Sequence, residues 1–222
     1  MTSPVLFISG AGLQTWVWDD VRQSLGTESA VAETPRHEGA TLADAAVAAL
    51  EFAPWPHFTV VAHSLGGTIA TRMLPLAADR IDAVLGVAAL FPKPGTSYAA
   101  NLPIPARWVL PIALRLTGTR PPDSAIRSSL GTGLDENTTD RLVEGFEPEP
   151  RGLYLDKTVD TAFPSRCGYV STSADNELPA SAQAASAARI GARWTASLPT
   201  AHLPMLEDSM ALTAGIRRFL DV

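Results

Sequence analysis

The sequence predicts an α/β fold: a mostly parallel sheet of about six strands, helices on both faces and one inserted segment. Short apolar runs alternate with amphipathic stretches along most of the 222 residues, which is typical of a parallel sheet. One proline-rich stretch, residues 91–164, interrupts this alternation. With 46% hydrophobic and 18% charged residues, the chain is expected to fold as a single domain, 1–222, around one core.

The first ninety residues supply strands and helices in regular order. Pro4 to Ile8 is apolar throughout, as in a strand that is buried on both faces. Thr41 and Asp44 resemble a capping box at the start of an alanine-rich helix. Apolar periodicity predicts the remaining elements, which are strands at Ser29 to Glu33, Phe58 to Val61 and Ile81 to Leu90, and helices at Thr15 to Leu25, Thr41 to Phe52 and Thr68 to Leu76.

Residues 91–164 are predicted to form a cap between the two parts of the core, 1–90 and 165–222. The segment holds ten of the eighteen prolines and is too long for a simple connection. Pro103 to Leu116 predicts a short helix broken at Pro111, and Leu134 to Phe146 predicts a second helix. The alternative is a flexible surface excursion, but large apolar side chains such as Trp108 favour burial over the site.

Regular alternation resumes after the cap. The predicted strands are Cys167 to Thr172 and Ala192 to Leu198, and the predicted helices are Pro179 to Ile190 and Leu206 to Leu220. Cys167 is the only cysteine, so no internal disulfide is possible. Its apolar neighbours indicate a small core residue rather than a nucleophile.

Composition narrows the classes of partner. The formal net charge of −6 argues against nucleic acid, and no stretch approaches the ~20 apolar residues that span a membrane. No secretory signal is visible, and no histidine and carboxylate cluster has metal-ligand spacing. We therefore expect a cytoplasmic protein with a small-molecule substrate and neither metal nor cofactor. The oligomeric state does not follow from the sequence.

The central motif is Ser64, which stands between an apolar strand and a helix in the stretch AHSLGG, residues 62–67. Small residues on both sides of a serine allow a tight, strained turn that holds the hydroxyl clear of the sheet. Such a turn is a nucleophile elbow, usually G-x-S-x-G, and here Ala62 replaces the first glycine. The alternative is an ordinary turn with a serine at the helix N-terminus.

A serine hydroxyl needs an adjacent base to become a nucleophile, and the base needs an acid that orients it. His202 and Asp175 follow later strands, where the carboxyl ends of a parallel sheet place functional loops. Glu177 is the alternative acid. His63 adjoins the serine and is expected to be structural, because its side chain points elsewhere.

Together these motifs resemble the α/β-hydrolase superfamily over residues 4–90 and 167–220, although not across the cap. The resemblance is to its compact methylesterase and hydroxynitrile-lyase branch, which lacks a preceding hairpin. It implies that the backbone N–H groups of Ala11 and Leu65 form an oxyanion hole. The lyases carry a lysine at the position of Leu203, so leucine there favours ester hydrolysis. The matching stretches are SGAG at 9–12 with Trp16 and Trp18, AHSLGG at 62–67, Asp175 with Pro179, and AHLPMLED at 201–208.

The predicted activity is cleavage of a small, fairly apolar ester, lactone or thioester by a serine hydrolase with Ser64, His202 and Asp175 as its catalytic residues. The same fold also supports C–C bond hydrolysis, a lyase or cyclase step, cofactor-free oxygenation, or a ligand receptor that kept these residues. The candidate pocket residues are Gly12, Trp108, Leu114 and Leu203.

Overall fold

A computed structural model describes residues 3–221 and contains one sheet of six parallel strands. The strand order is β2-β1-β3-β4-β5-β6, which confirms the predicted architecture. The chain runs from β1 to β2 on one side and then returns to place β3 on the other. This reversal leaves a crevice beyond the carboxyl ends of β1 and β3. The strands are β1 (Val5–Ile8), β2 (Ser29–Ala32), β3 (Phe58–His63), β4 (Ile81–Val87), β5 (Arg166–Thr172) and β6 (Trp194–Leu198).

Helices cover both faces of the sheet and fill the segment between β4 and β5. They are α1 (Asp19–Leu25), α2 (Leu42–Glu51), α3 (Gly66–Met73), α4 (Tyr98–Asn101), α5 (Ala106–Leu116), α6 (Asp123–Ser129), α7 (Glu136–Glu144), α8 (Arg151–Leu155), α9 (Ala180–Arg189), α10 (Pro204–Glu207) and α11 (Ser209–Leu220).

Strand β1 shows how the core is divided. Its side chains alternate between the faces, as a strand requires. Val5 and Phe7 pack in the cluster that contains α1 and α11, while Leu6 and Ile8 pack in the cluster with α2, α3 and part of α9. Burial on both faces explains why the strand is apolar throughout.

Three predicted helices are divided in the structure. The helix predicted at Thr68 to Leu76 consists of the end of α3 and a 3₁₀ turn, Leu74–Leu76. The helix predicted at Thr15 to Leu25 begins as a 3₁₀ turn, Thr15–Trp18, before α1. The last predicted helix is split into α10 and α11 at Asp208, whose Oδ1 accepts a hydrogen bond from the backbone N–H of Ala211 at 2.9 Å. A carboxylate that satisfies a free N–H starts a new helix efficiently.

Residues 91–164, the predicted cap, contain five helices, α4 to α8, of which two were predicted. The expected break at Pro111 is wrong, because α5 continues through that residue. Proline removes only its own N–H, so the Arg107 carbonyl loses its helical partner. Arg107 is exposed, and solvent can satisfy this carbonyl. The second predicted helix is shorter, Glu136–Glu144, because Asp135 caps it.

Candidate active site

Ser64 occupies a strained turn between β3 and α3. Its φ is +51°, a conformation that is costly for a residue with a side chain. A Cβ at Gly66 would lie 2.4 Å from the carbonyl oxygen of Ile8, so only glycine fits there. The Ser64 carbonyl accepts hydrogen bonds from the N–H groups of Gly67 at 3.1 Å and Leu90 at 3.0 Å. These contacts fix the turn that presents the hydroxyl.

Three side chains from separate loops form a continuous hydrogen-bonded chain. The distance from His202 Nε2 to Ser64 Oγ is 3.0 Å, and that from His202 Nδ1 to Asp175 Oδ2 is 2.7 Å. All three side chains are buried. An imidazole held between a hydroxyl and a carboxylate can accept the hydroxyl proton while the carboxylate stabilises the resulting charge.

The loop after β5 holds Asp175 as an ionised acceptor. Its Oδ1 accepts hydrogen bonds from the backbone N–H groups of Glu177 at 2.8 Å and Leu178 at 2.9 Å. Burial raises the pKa of this carboxyl, but the hydrogen bonds from His202 and the loop outweigh burial and hold the pKa below its usual value. Glu177, the alternative acid, is exposed, and its carboxylate makes no hydrogen bond to His202 within residues 3–221.

Two side chains, His63 and Glu207, hold the loop that carries His202. His63 Nε2 lies 2.9 Å from the His202 carbonyl oxygen, and the two rings lie 4.8 Å apart between centroids. Burial lowers the pKa of His63 to about 3, so a neutral ring donates this hydrogen bond. Glu207 accepts a hydrogen bond from the N–H of Ala201 at 2.7 Å. His63 and Glu207 therefore both support the loop that carries His202, a role for His63 that goes beyond the structural one expected from the sequence.

The candidate oxyanion donors lie beside Ser64. Ala11 lines the same cavity as Ser64, and Leu65 is the N-cap residue of α3, where the helix dipole favours negative charge. Across residues 3–221, neither the Ala11 nor the Leu65 backbone N–H donates to a protein acceptor. Both groups are thus free to donate to a substrate oxygen.

Glu149, which the sequence did not single out, holds the loop that carries Ala11. Its Oε1 accepts a hydrogen bond from the Gly12 N–H at 3.4 Å, and its Oε2 accepts one from the Thr34 hydroxyl at 3.1 Å. Arg36 lies 3.4 Å from Oε1. Burial raises the pKa of Glu149 against the opposing effect of Arg36. The separation of 137 residues between Glu149 and Gly12 gave no local signal in the sequence.

We expect the Glu149→Ala substitution to lower kcat for the predicted ester hydrolysis by as much as about 100-fold, because displacement of the loop that carries Ala11 would misplace a candidate oxyanion donor. KM should change less than kcat. Glu149→Gln keeps an oxygen acceptor for Gly12 and should restore most of the rate. Steady-state kinetics of both variants test this prediction, and equal losses in the two would contradict it.

A cavity of about 490 Å³ lies above Ser64, within the size range of small-molecule sites. Helices α5 and α6 and the residues around them form its apolar wall. The charged lining residues, Arg120 and Glu177, are exposed, so they lie at the edge. Apolar and phenolic side chains in the wall include Leu110, Leu114, Ile126, Phe146, Tyr98 and Tyr154.

Tyr98 is a second residue that sequence reasoning missed. It is the first residue of α4 and lines the same cavity as Ser64. Burial raises the pKa of Tyr98 to about 12, although the interaction of the phenol with the Ser64 side chain lowers it. The ring packs edge-on against Tyr154 with centroids 6.0 Å apart. Tyr98 is therefore a neutral donor that faces the same space as Ser64.

One of the four candidate pocket residues, Leu114, lines the cavity. Trp108 lies outside it and is 59% exposed, because helical periodicity places it on the opposite side of α5 from Leu114. Gly12 permits close packing instead, since its φ is +73° and an added Cβ would lie 2.2 Å from the Phe146 ring. Leu203 is buried in the core.

Other potential functional groups are few. Cys167 is buried, and burial raises the pKa of its thiol to about 11, which keeps the thiol unreactive.

Within residues 3–221, no group of three or more His, Cys, Asp and Glu side chains is arranged to hold a metal ion. Over the same range, no helix is both long and apolar enough to cross a membrane.

Comparison with known proteins identifies the family. The alpha/beta hydrolase family matches this sequence over residues 5–216. The chain belongs to the α/β-hydrolase family. No curated protein sequence matches this α/β-hydrolase.

Solved structures share the fold over nearly the whole chain. An extracellular α/β-hydrolase from a Paenibacillus species, described as a homologue of tobacco salicylic acid binding protein 2, is 15% identical with a TM-score of 0.85, covering 97% of this chain and 98% of that one. A methylesterase from Arabidopsis is 19% identical with a TM-score of 0.77, covering 99% of each chain. A pyrethroid hydrolase from Sphingobium faniae JZ-2 is 21% identical with a TM-score of 0.66, covering 100% and 98%. These likenesses confirm the fold that the sequence predicted.

Proposed function

We propose that this α/β-hydrolase cleaves a small, fairly apolar ester, lactone or thioester through an acyl-enzyme on Ser64. The observation that carries the proposal is the position of His202, whose two ring nitrogens contact Ser64 Oγ at 3.0 Å and Asp175 Oδ2 at 2.7 Å. A methylesterase from Arabidopsis and a pyrethroid hydrolase have the same fold, which supports a hydrolytic reaction.

In this mechanism, Ser64 Oγ attacks the substrate carbonyl and His202 Nε2 takes the hydroxyl proton. The N–H groups of Ala11 and Leu65 donate to the oxyanion, where one such donor is typically worth about 3–4 kcal/mol. His202 then returns the proton to the leaving group, and water repeats the sequence to release the acid. The Tyr98 phenol, which lines the same cavity as Ser64, can donate a hydrogen bond to the alcohol oxygen of the substrate. No step requires a cofactor.

The substrate class follows from the cavity. A volume of about 490 Å³ admits a small molecule, and a wall of leucine, isoleucine and phenylalanine side chains favours an apolar one. The charged side chains of the wall are exposed at its edge, so they do not select an ionic group beside Ser64. We therefore expect a neutral substrate near the carbonyl that reacts.

A series of p-nitrophenyl esters of graded acyl length tests the proposal. We expect turnover with a maximum at short to medium chain length, abolished in Ser64→Ala. Absence of hydrolysis across esters, a lactone and a thioester, in protein whose folding is verified by circular dichroism, would contradict it.

Leu114→Ala should shift the preference towards longer acyl chains, because the substitution enlarges the apolar wall. One contact group in such a pocket is worth ~1–3 kcal/mol, or roughly tenfold to two-hundredfold in the ratio of kcat/KM between two esters. Trp108→Ala is the control, since this side chain lies outside the cavity. An unchanged ratio in Leu114→Ala would mean that the core loops, rather than the cap, select the substrate.

A further inference from the structure

Helix α5 exposes a row of large apolar side chains. Ile104 precedes the helix, and Trp108, Ile112 and Leu116 follow at intervals of four residues, which places them on one side of it. Their exposed fractions run from 57% to 79%. Single exposed hydrophobic residues are normal, but a contiguous apolar row marks a surface that binds something. We call this row the α5 face.

The α5 face is not needed to pack the cap. The opposite side of α5 carries Leu110 and Leu114, which line the cavity. Val109 lies between the two sides, since it is 57% exposed and also lines the cavity. The α5 face is therefore continuous with the mouth of the site above Ser64.

The α5 face lies in a segment with an excess of positive charge. Residues 93–122 contain four basic side chains and no acidic one, in a chain whose net charge is −6. Arg120 pairs with Asp123 at 2.9 Å, which leaves Lys93, Arg107 and Arg115 as the other basic side chains of the segment. Arg107 and Arg115 lie on α5 itself. The guanidinium of Arg107 lies 5.1 Å from the centroid of the Trp108 ring. An apolar row beside arginines, including an exposed tryptophan, is the pattern of a helix that lies in the interface of an anionic lipid layer.

A second copy of the chain fits this face less well. A two-fold contact uses the same patch on both subunits, so the basic side chains of one α5 would meet a surface with the same charge. Residues 93–122 contain no carboxylate, and Asp123, which follows them, already pairs with Arg120. We propose that the α5 face docks on an anionic lipid surface, with Val109 bringing the cavity mouth to that surface. This proposal concerns binding alone and does not depend on the reaction at Ser64.

Co-sedimentation with vesicles tests the proposal without any substrate. We expect the wild type to bind vesicles of phosphatidylcholine mixed with phosphatidylglycerol more tightly than vesicles of phosphatidylcholine alone. Ile112→Glu should lower the partition coefficient at least about tenfold, because it removes one buried aliphatic side chain from the contact. Met210→Glu on α11 is the matched control, as Met210 is 78% exposed, and it should bind as the wild type does.

Removing positive charge separates the electrostatic part of binding. Arg107→Gln and Arg115→Gln should each weaken binding to the anionic vesicles about fivefold and leave the weaker binding to neutral vesicles unchanged. All variants should keep the wild-type thermal unfolding midpoint, because the substituted side chains are exposed.

Three results would overturn the proposal. One is a wild-type protein that stays in the supernatant with both vesicle types. Another is Ile112→Glu binding as tightly as Met210→Glu. The third is a wild-type dimer in sedimentation velocity that Ile112→Glu dissociates, which would assign the α5 face to a second copy of the chain.

Discussion

His202→Ala is expected to lower kcat for ester hydrolysis by about 10⁴- to 10⁶-fold, the range found when a member of such a triad is removed. In the proposed mechanism, this substitution removes the base that takes the Ser64 proton, and alanine supplies no substitute. The fold should persist, since the substitution keeps the His202 carbonyl that contacts His63 at 2.9 Å. Steady-state kinetics with a p-nitrophenyl ester measure the loss of kcat, and a thermal melt measures whether the fold persists.

His57→Ala is the matched control for this variant. His57 is an exposed histidine that pairs with Asp82 at 3.1 Å, away from the cavity, and its loss should leave kcat unchanged. The double variant Ser64→Ala with His202→Ala should be no slower than either single variant, because the two residues act as one unit. A His202→Ala enzyme within tenfold of the wild type would show that another group is the base.

Asp175→Asn should lower kcat by about 10⁴-fold or less, because an amide favours the wrong imidazole tautomer while leaving the ring in place. Asp175 Oδ2 now accepts the His202 Nδ1–H at 2.7 Å, whereas an asparagine NH₂ would face that nitrogen with a donor. The loop should survive, since the asparagine oxygen can still accept the N–H groups of Glu177 and Leu178.

Glu177→Gln is the control for the choice of acid. The structure places Glu177 at the edge of the cavity, exposed and without a hydrogen bond to His202 among the described residues. We expect this variant to retain wild-type kcat. The reverse pattern, a damaging Glu177→Gln and a silent Asp175→Asn, would assign the orienting role to Glu177.

The sheet and the elbow could be predicted because their signals are local. Val5 to Ile8 must be apolar on both faces, and Gly66 must lack a side chain beside the Ile8 carbonyl. Asp175 and His202 could be placed because parallel strands bring their following loops to the same edge.

The cap could be predicted only in outline. Apolar residues occur on both sides of α5, so its sequence did not reveal that Leu114 faces the cavity while Trp108 faces solvent. The prolines suggested a break, although a single missing N–H at Pro111 is tolerated at an exposed position. Contacts between distant segments, such as Glu149 with Gly12, leave no pattern in either segment.

Labelling with a fluorophosphonate probe followed by mass spectrometry tests the central claim most directly. Trypsin cleavage after Arg36 and Arg72 releases a peptide in which Ser64 is the only serine, so fragmentation assigns the adduct without ambiguity. We expect one adduct per chain on Ser64 in the wild type, formed in parallel with the loss of esterase activity, and far slower labelling in His202→Ala. Folded, active protein whose Ser64 stays unlabelled, or an adduct on another residue that accounts for the inactivation, would contradict the proposed mechanism.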